Sequence, residues 1–127
     1  MAKKKSISIK SRKAKGRNLQ KLVCKKLSEL TGISWGKDKE IESREMGQAG
    51  RDIKLYGKAK QLILLDIECK NQEKWSVLTW IKQAKLNQEA GRYWALICKK
   101  NHVDPVIIMD LDNFLEIYKR LLKALDK

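Results

Sequence analysis

Two short segments carry residue types suited to phosphodiester chemistry: Gly50-Arg51-Asp52, and further along the chain Glu68-Cys69-Lys70. Alternate residues of a strand share a face, so Glu68 and Lys70 project to one side, with Asp66 behind them. If the segment over 52–56 pairs with the one over 62–70 as a hairpin, the Asp52 carboxylate comes beside Glu68. The two then make a pair of hard oxygen ligands. Magnesium suits such a pair, with manganese as a substitute. The Cys69 carbonyl offers a third oxygen while its thiol points away. A metal held there lowers the pKa of a bound water and offsets charge on phosphoryl oxygens, and the Lys70 ammonium orients the nucleophile or stabilises the same charge. The plainer alternative is a strand end with solvated charges, a surface pair worth under about 1 kcal/mol. Context favours the site: an apolar run leads straight into Glu-x-Lys, and a Gly-x-Asp opens the preceding strand.

The elements that must position these residues follow from hydrophobic period. Leu62 to Lys70 is an apolar run passing into alternation, which reads as a central strand. Ile33 to Trp35 and Asp52 to Tyr56 are short strand candidates, with a turn at Gly57. Lys15 to about Leu30 repeats apolar residues at three and four (Leu19, Leu22, Val23, Leu27, Leu30), so a helix is expected to end near Gly32. Val77 to Ala90 is helical in pattern and stops at Gly91. Tyr93 to Lys99 alternates Trp94, Leu96 and Cys98 against Ala95 and Ile97 as a strand. Asp104 to Met109 is expected to be an edge strand, with Pro105 near its start. Asp110 or Asp112 is expected to cap a last helix whose apolar face (Leu111, Phe114, Leu115, Tyr118, Leu121, Leu122, Leu125) packs in the core or across a dimer seam. The order α, β, β, β, α, β, β, α predicts one α/β domain with a central mixed β-sheet flanked by helices.

Composition narrows the function classes. The 127 residues, 43% hydrophobic, suffice for one two-layer domain and not for two. No apolar run approaches the roughly 20 residues of a membrane helix, and Met1 to Lys15 lacks the apolar stretch of a secretory signal. The expectation is a soluble chain with no membrane partner. Its three scattered cysteines, Cys24, Cys69 and Cys98, fit thiols in a reducing cytoplasm. A formal charge of +14, with 29 Lys+Arg against 15 Asp+Glu, favours polyanionic partners, nucleic acid first. The cations crowd the start of the chain, among them Lys10, Arg12, Lys13, Lys15 and Arg17, and no acidic residue precedes Glu29. Residues 1–14 therefore read as a basic arm, either phosphate-facing or merely solubilising, ahead of one domain over 15–127. His102, the sole histidine, excludes a His-Cys zinc finger and an HNH-type nuclease and reads as a loop residue. Trp75 and Trp80 either stack on exposed bases or pack a core. Gln83 and Asn87, at i and i+4, either reach a phosphate or are solvated.

Gly50-Arg51-Asp52-Ile53 followed by Ile67-Glu68-Cys69-Lys70 resembles the core of PD-(D/E)XK nucleases, and Lys15-Gly16-Arg17 opening the first helix resembles archaeal-type Holliday junction resolvases and their phage relatives. The resemblance spans roughly Lys15 to Phe114. It implies a restriction-endonuclease-like core (α-β-β-β-α-β), so that 15–127 is a nuclease domain. It also implies magnesium-dependent cleavage of branched DNA by a homodimer, in the host cytoplasm if phage-encoded. In small phage-type members a serine precedes the Gly-rich approach to the aspartate, a place taken here by Ser43-Arg44-Glu45-Met46-Gly47. Gln83-Ala84 followed by Asn87 is similar to their glutamine-bearing helix. The resemblance thus adds Ser43 and Gln83 to Asp52, Glu68 and Lys70 as catalytic candidates, and Arg44, Arg51 and Asn87 to the DNA-contacting ones. Two departures stand out. Gln20 occupies the place of a helix glutamate, so that either fewer charges serve the site or Glu42 or Glu45 substitutes, and one metal or two is left open. Arg51 replaces the namesake proline. The competing expectations are a non-catalytic DNA-binding module on the same fold, and a repair or restriction-type nuclease for duplex or single strands.

Overall fold

The computed structural model describes residues 8–45 and 50–126. Helix α1 (Ile9–Thr31) begins six residues earlier than the apolar stripe predicts. Ser8 caps it, accepting a hydrogen bond from the Ser11 amide at 3.2 Å, and the run of good helix formers from Lys10 to Lys15 carries the first turns. Gly32 ends it at φ 75°, its N–H donating to the Ser28 carbonyl at 2.8 Å. Lys10, Arg12 and Lys13 therefore stand on helical turns continuous with the domain. Met1 to Ile7 of the expected arm lie outside the described residues, as do Met46 and Gly47 of the serine-bearing stretch.

The strand expected at Ile33–Trp35 does not form. Only a single bridge, Trp35 to Ile41, is made there, because Gly36 (φ 137°) and Asp38 (φ 60°) turn the chain while Ile33 and Trp35 pack against the core. The strand is instead β1 (Ile41–Ser43), antiparallel to β2 (Ile53–Leu55), with Ile41 opposite Leu55 and Ser43 opposite Ile53. The expected hairpin from β2 into the Glu68 strand is also absent, since a short helix, α2 (Gly57–Leu62), intervenes. Its start is fixed from a distance: the Glu40 carboxylate accepts the Ala59 amide at 3.0 Å, and a Cβ on Gly57 (φ +52°) would lie 2.7 Å from that same oxygen. Any larger residue would take up a left-handed backbone and push the Glu40 carboxylate off the Ala59 amide.

Strand β3 (Leu65–Asn71) runs through helix α3 (Val77–Leu86) into β4 (Tyr93–Lys100), parallel to it with Glu68 opposite Leu96 and Lys70 opposite Cys98. Helix α3 stops four residues short of the expected Ala90. Strand β5 (Val103–Ile108) is antiparallel to β4, giving a mixed sheet of order β3-β4-β5. The middle strand is thus β4, and β3, expected to be central, lies at the edge of this sheet facing β2. The remaining edge is β5, as Pro105 predicts.

Two apolar layers sandwich the sheet. Leu19, Val23 and Cys24 of α1 meet Ile41, Ile53, Ile67, Cys69 and Ala95 on one face. Trp80 and Ala84 of α3 meet Trp94, Leu96 and Cys98 on the other, as the alternation along β4 requires. Trp80 is buried in that layer and has no free face for a base. The last helix, α4 (Leu111–Leu125), departs most from expectation: none of its residues is buried, and its apolar face is not part of the core. Among the described residues no helix is long and apolar enough to cross a membrane.

Candidate active site

The edge of β3 away from β4 is where the two chemistry-bearing segments meet. Asp52, just before β2, treats β3 as a neighbouring strand would: its amide donates to the Ile67 carbonyl at 3.1 Å, and its Oδ2 accepts the Cys69 amide at 2.7 Å. One side-chain oxygen thereby replaces the next carbonyl of a ladder, and strand pairing stops there. The N–H and C=O of a strand residue project the same way, so the Cys69 carbonyl faces the Asp52 side. Its thiol is buried among Cys24, Ile67 and the rest of the α1 layer.

Glu68 is 3% exposed and shares a hydrogen bond with the Asp52 carboxyl group. Burial, then the nearby Asp52 charge, pushes its pKa up to about 7. Burial likewise raises the pKa of Asp52, opposed by the Cys69 N–H, the shared hydrogen bond and the charges of Lys70 and Arg44. In the other direction, Asn87 Nδ2 donates to Glu68 Oε1 at 2.7 Å, favouring the ionised form. Lys70 is on the same face of β3 with its Nζ 5.9 Å from the centre of the Trp80 ring, within cation–π range, and its charge favours ionisation of both carboxyl groups.

This donor set fits a hard divalent cation. A buried and a half-buried carboxyl group side by side repel one another and retain a proton, and a cation is the natural replacement for that proton. Among the described residues no cluster of three or more His, Cys, Asp or Glu side chains exists. The arrangement is therefore two carboxylates and a backbone carbonyl, hard oxygen donors of the kind magnesium takes alongside water.

The other candidates distribute unevenly. Gln20 is buried beside Leu19 on α1, the helix that packs over β3. Ser43 ends β1 opposite Ile53, one residue from Asp52. Gln83 is exposed on α3, and its backbone carbonyl accepts from Asn87. Glu42 is engaged on the hairpin, 3.0 Å from Lys54 and accepting the Asp38 amide at 2.9 Å, and these contacts hold its pKa low. Glu45 is exposed beyond β1. Arg44 Nε donates to the Arg51 carbonyl, and the Arg44 amide donates to the Asp52 carbonyl at 2.7 Å, so Arg44 braces the approach to Asp52. Arg51 donates to the Asn87 carbonyl at 3.2 Å, tying that approach to the loop after α3. With Lys54 and Lys60, Arg44 and Arg51 line a cationic cleft. Lys15 lies at the other end of β3, where its carbonyl accepts Asn71 Nδ2 at 3.0 Å. Lys10, Arg12, Lys13 and Arg17 are exposed along α1.

Sequence reasoning missed two contributions. One is the grip of Asn87 on Glu68, for which the only signal was its placement on the glutamine-bearing helix. The other is Arg92, whose Nε donates to buried Asp66 at 2.8 Å and whose other nitrogens satisfy the carbonyls of Lys60, Ile63 and Leu65. Asp66 also accepts the Glu89 amide at 2.7 Å. Contacts spanning 26 residues of chain leave no periodic trace.

No curated protein and no solved structure matches the chain. A family model described as "Phage putative PDDEXK endonuclease" matches residues 11–126, which takes in every residue of this site. The match spans Asp52, Glu68 and Lys70 together, and the chain belongs to this phage family of PD-(D/E)XK endonucleases, whose superfamily generally uses a divalent metal.

Proposed function

We propose that the protein is a magnesium-dependent endonuclease that cuts phosphodiester bonds in branched DNA, four-way junctions above all, as a homodimer on a restriction-endonuclease-like core. The observation that carries the reading is the hydrogen-bonded pair of half-buried Asp52 and buried Glu68, with Lys70 on the same strand face as Glu68. Asp52, Glu68 and the Cys69 carbonyl would hold the ion, and manganese would serve in its place. The ion supplies an acidified water and offsets charge on the phosphoryl oxygens.

The chain's own residues do the rest. Asn87 fixes the rotamer of Glu68, and the Cys69 amide fixes that of Asp52. Trp80 holds Lys70 beside both carboxylates, where its ammonium donates to the attacking or the scissile oxygen. Gln20, Ser43 and Gln83 contribute at the margin of the site, Gln20 offering an amide where a carboxylate would add charge. Lys10, Arg12, Lys13, Lys15, Arg17, Arg44 and Arg51 track the phosphate backbone, and Asn87 serves the site through Glu68. Two sites related by a two-fold axis suit paired nicks in a junction of matching symmetry. Buried, unpaired Cys24, Cys69 and Cys98 suit the reducing cytoplasm of a host.

The test is cleavage of a labelled four-way junction and a matched linear duplex with magnesium or with EDTA. Asp52→Ala, Glu68→Ala and Lys70→Ala are each expected to lower the rate by about 10³-fold or more while junction binding holds, because affinity rests on many phosphate contacts. Equal cutting of duplex would replace the junction with a broader substrate. Tight binding without cleavage under any divalent metal would favour the non-catalytic module.

A further inference from the structure

The apolar face of α4 has no counterpart in its own domain. Leu111, Phe114, Leu115, Tyr118, Leu121, Leu122 and Leu125 are each at least 46% exposed. The helix is attached by a different face: Asp110 Oδ2 accepts Trp94 Nε1 at 3.1 Å, and Asn113 and Ile117 are half-buried. An amphipathic helix ordinarily buries its apolar stripe, and an exposed patch beyond about 600 Å² is rare on a monomer. Seven large side chains make a patch of that order.

Two features specify what covers it. The first is spacing. Leu111, Tyr118 and Leu125 fall seven apart, as do Phe114 and Leu121, and Leu115 and Leu122. Three apolar positions in each heptad make a broad stripe of the width that packs against another helix. The second is charge. Asp112 borders the apolar face in the first half of α4, and Lys119 borders it along the same edge in the second half. Two copies laid antiparallel bring the Asp112 end of that edge toward the Lys119 end of the partner's. The patch also matches the roughly 800 Å² per partner of a standard interface.

We propose that α4 of a second copy of this chain covers this face, antiparallel about a two-fold axis near Tyr118. This supplies the contact surface for the homodimer named above and rests on that reading. Its readout needs neither DNA nor metal, however, so its failure would leave the nuclease assignment standing, and loss of cleavage alone would leave the dimer standing.

Sedimentation velocity of the full chain across a broad concentration range is expected to show a dimer. Leu121→Glu with Leu122→Glu, at positions already about half exposed, is expected to weaken it by more than about 100-fold with the circular dichroism unchanged. Mild oxidation is expected to cross-link Tyr118→Cys, which sits on the axis, and to leave Leu111→Cys, which faces Leu125, uncoupled. The native cysteines are buried and do not interfere. A monomer at every concentration, a dimer indifferent to the paired glutamates, or cross-linking of Leu111→Cys as readily as Tyr118→Cys would each overturn the proposal.

Discussion

Asn87 occupies a position that the spacing with Gln83 leaves open between phosphate contact and solvation, and its amide turns inward to Glu68. Partners that orient a metal-binding carboxylate typically matter 10- to 100-fold in metal affinity. Asn87→Ala is expected to weaken manganese binding, read by calorimetry, by about that factor while the fold is kept. The carboxyl pair itself makes a pH prediction. Glu68 titrates at about 7 in the folded, metal-free chain against an ordinary value of 4.5, because of burial and then the Asp52 charge. Between those values the folded state holds a proton that the unfolded state has released, so the stability of the metal-free protein must fall as pH rises through that window. The melting temperature in EDTA is expected to drop by several degrees from pH 5 to pH 8, and magnesium to restore it at pH 8 and do little at pH 5, where a proton must be displaced. Glu68→Gln should flatten both trends. A wild-type curve with no slope in that window would show that the two carboxyl groups do not share a proton.

At the scale of elements, the site depends on how β3 is pinned between α2, β2 and β4, and Arg92 does much of the pinning. It pairs with Asp66, 4% exposed, and occupies carbonyls at the end of α2 and the start of β3. Arg92→Ala leaves buried Asp66 with only Arg51 at 3.6 Å and the Glu89 amide, and takes the donor from three backbone carbonyls, so it is expected to destabilise the fold by about 3 kcal/mol in urea unfolding. A loss below about 1 kcal/mol would mean that solvent replaces the guanidinium. This pin was invisible in the sequence, whereas much around it was legible. The alternation of Trp94, Leu96 and Cys98 against Ala95 located β4 and both of its faces, and the apolar run into Glu68 located β3. What misled was local pattern without local cause. Ile33 and Trp35 look like a strand but pack as a loop, while β1, with Ile41 its one fully buried residue, has no period to read. The sequence around Gly57 reads as a turn, and helix α2 forms there because its start is set by Glu40, far back in the chain. The site survived the wrong hairpin because Asp52 reaches β3 by its own amide and carboxylate and needs no continuous ladder.

For the whole molecule, the formal charge of +14 is a statement about association. The sequence places the densest cations at the start, and the structure puts Lys10, Arg12, Lys13 and Arg17 on the exposed surface of one rigid helix, α1. A helix holds its charges in a fixed array, so its phosphate contacts should form together and without regard to base sequence. The logarithm of the binding constant is expected to fall linearly with the logarithm of salt concentration, by about 0.9 for each phosphate neutralised on duplex DNA. Replacing Lys10, Arg12 and Lys13 by alanine should make that slope shallower by up to about 0.9 per side chain, equally for duplexes of different sequence. The cleavage rate at saturating DNA should be unchanged, because none of the three lies near Asp52 or Glu68. Fluorescence anisotropy with labelled DNA over a salt series measures the slope directly. An unaltered slope in the triple variant would move the phosphate-binding surface away from α1, leaving the cleft of Arg44, Arg51, Lys54 and Lys60 to carry the backbone.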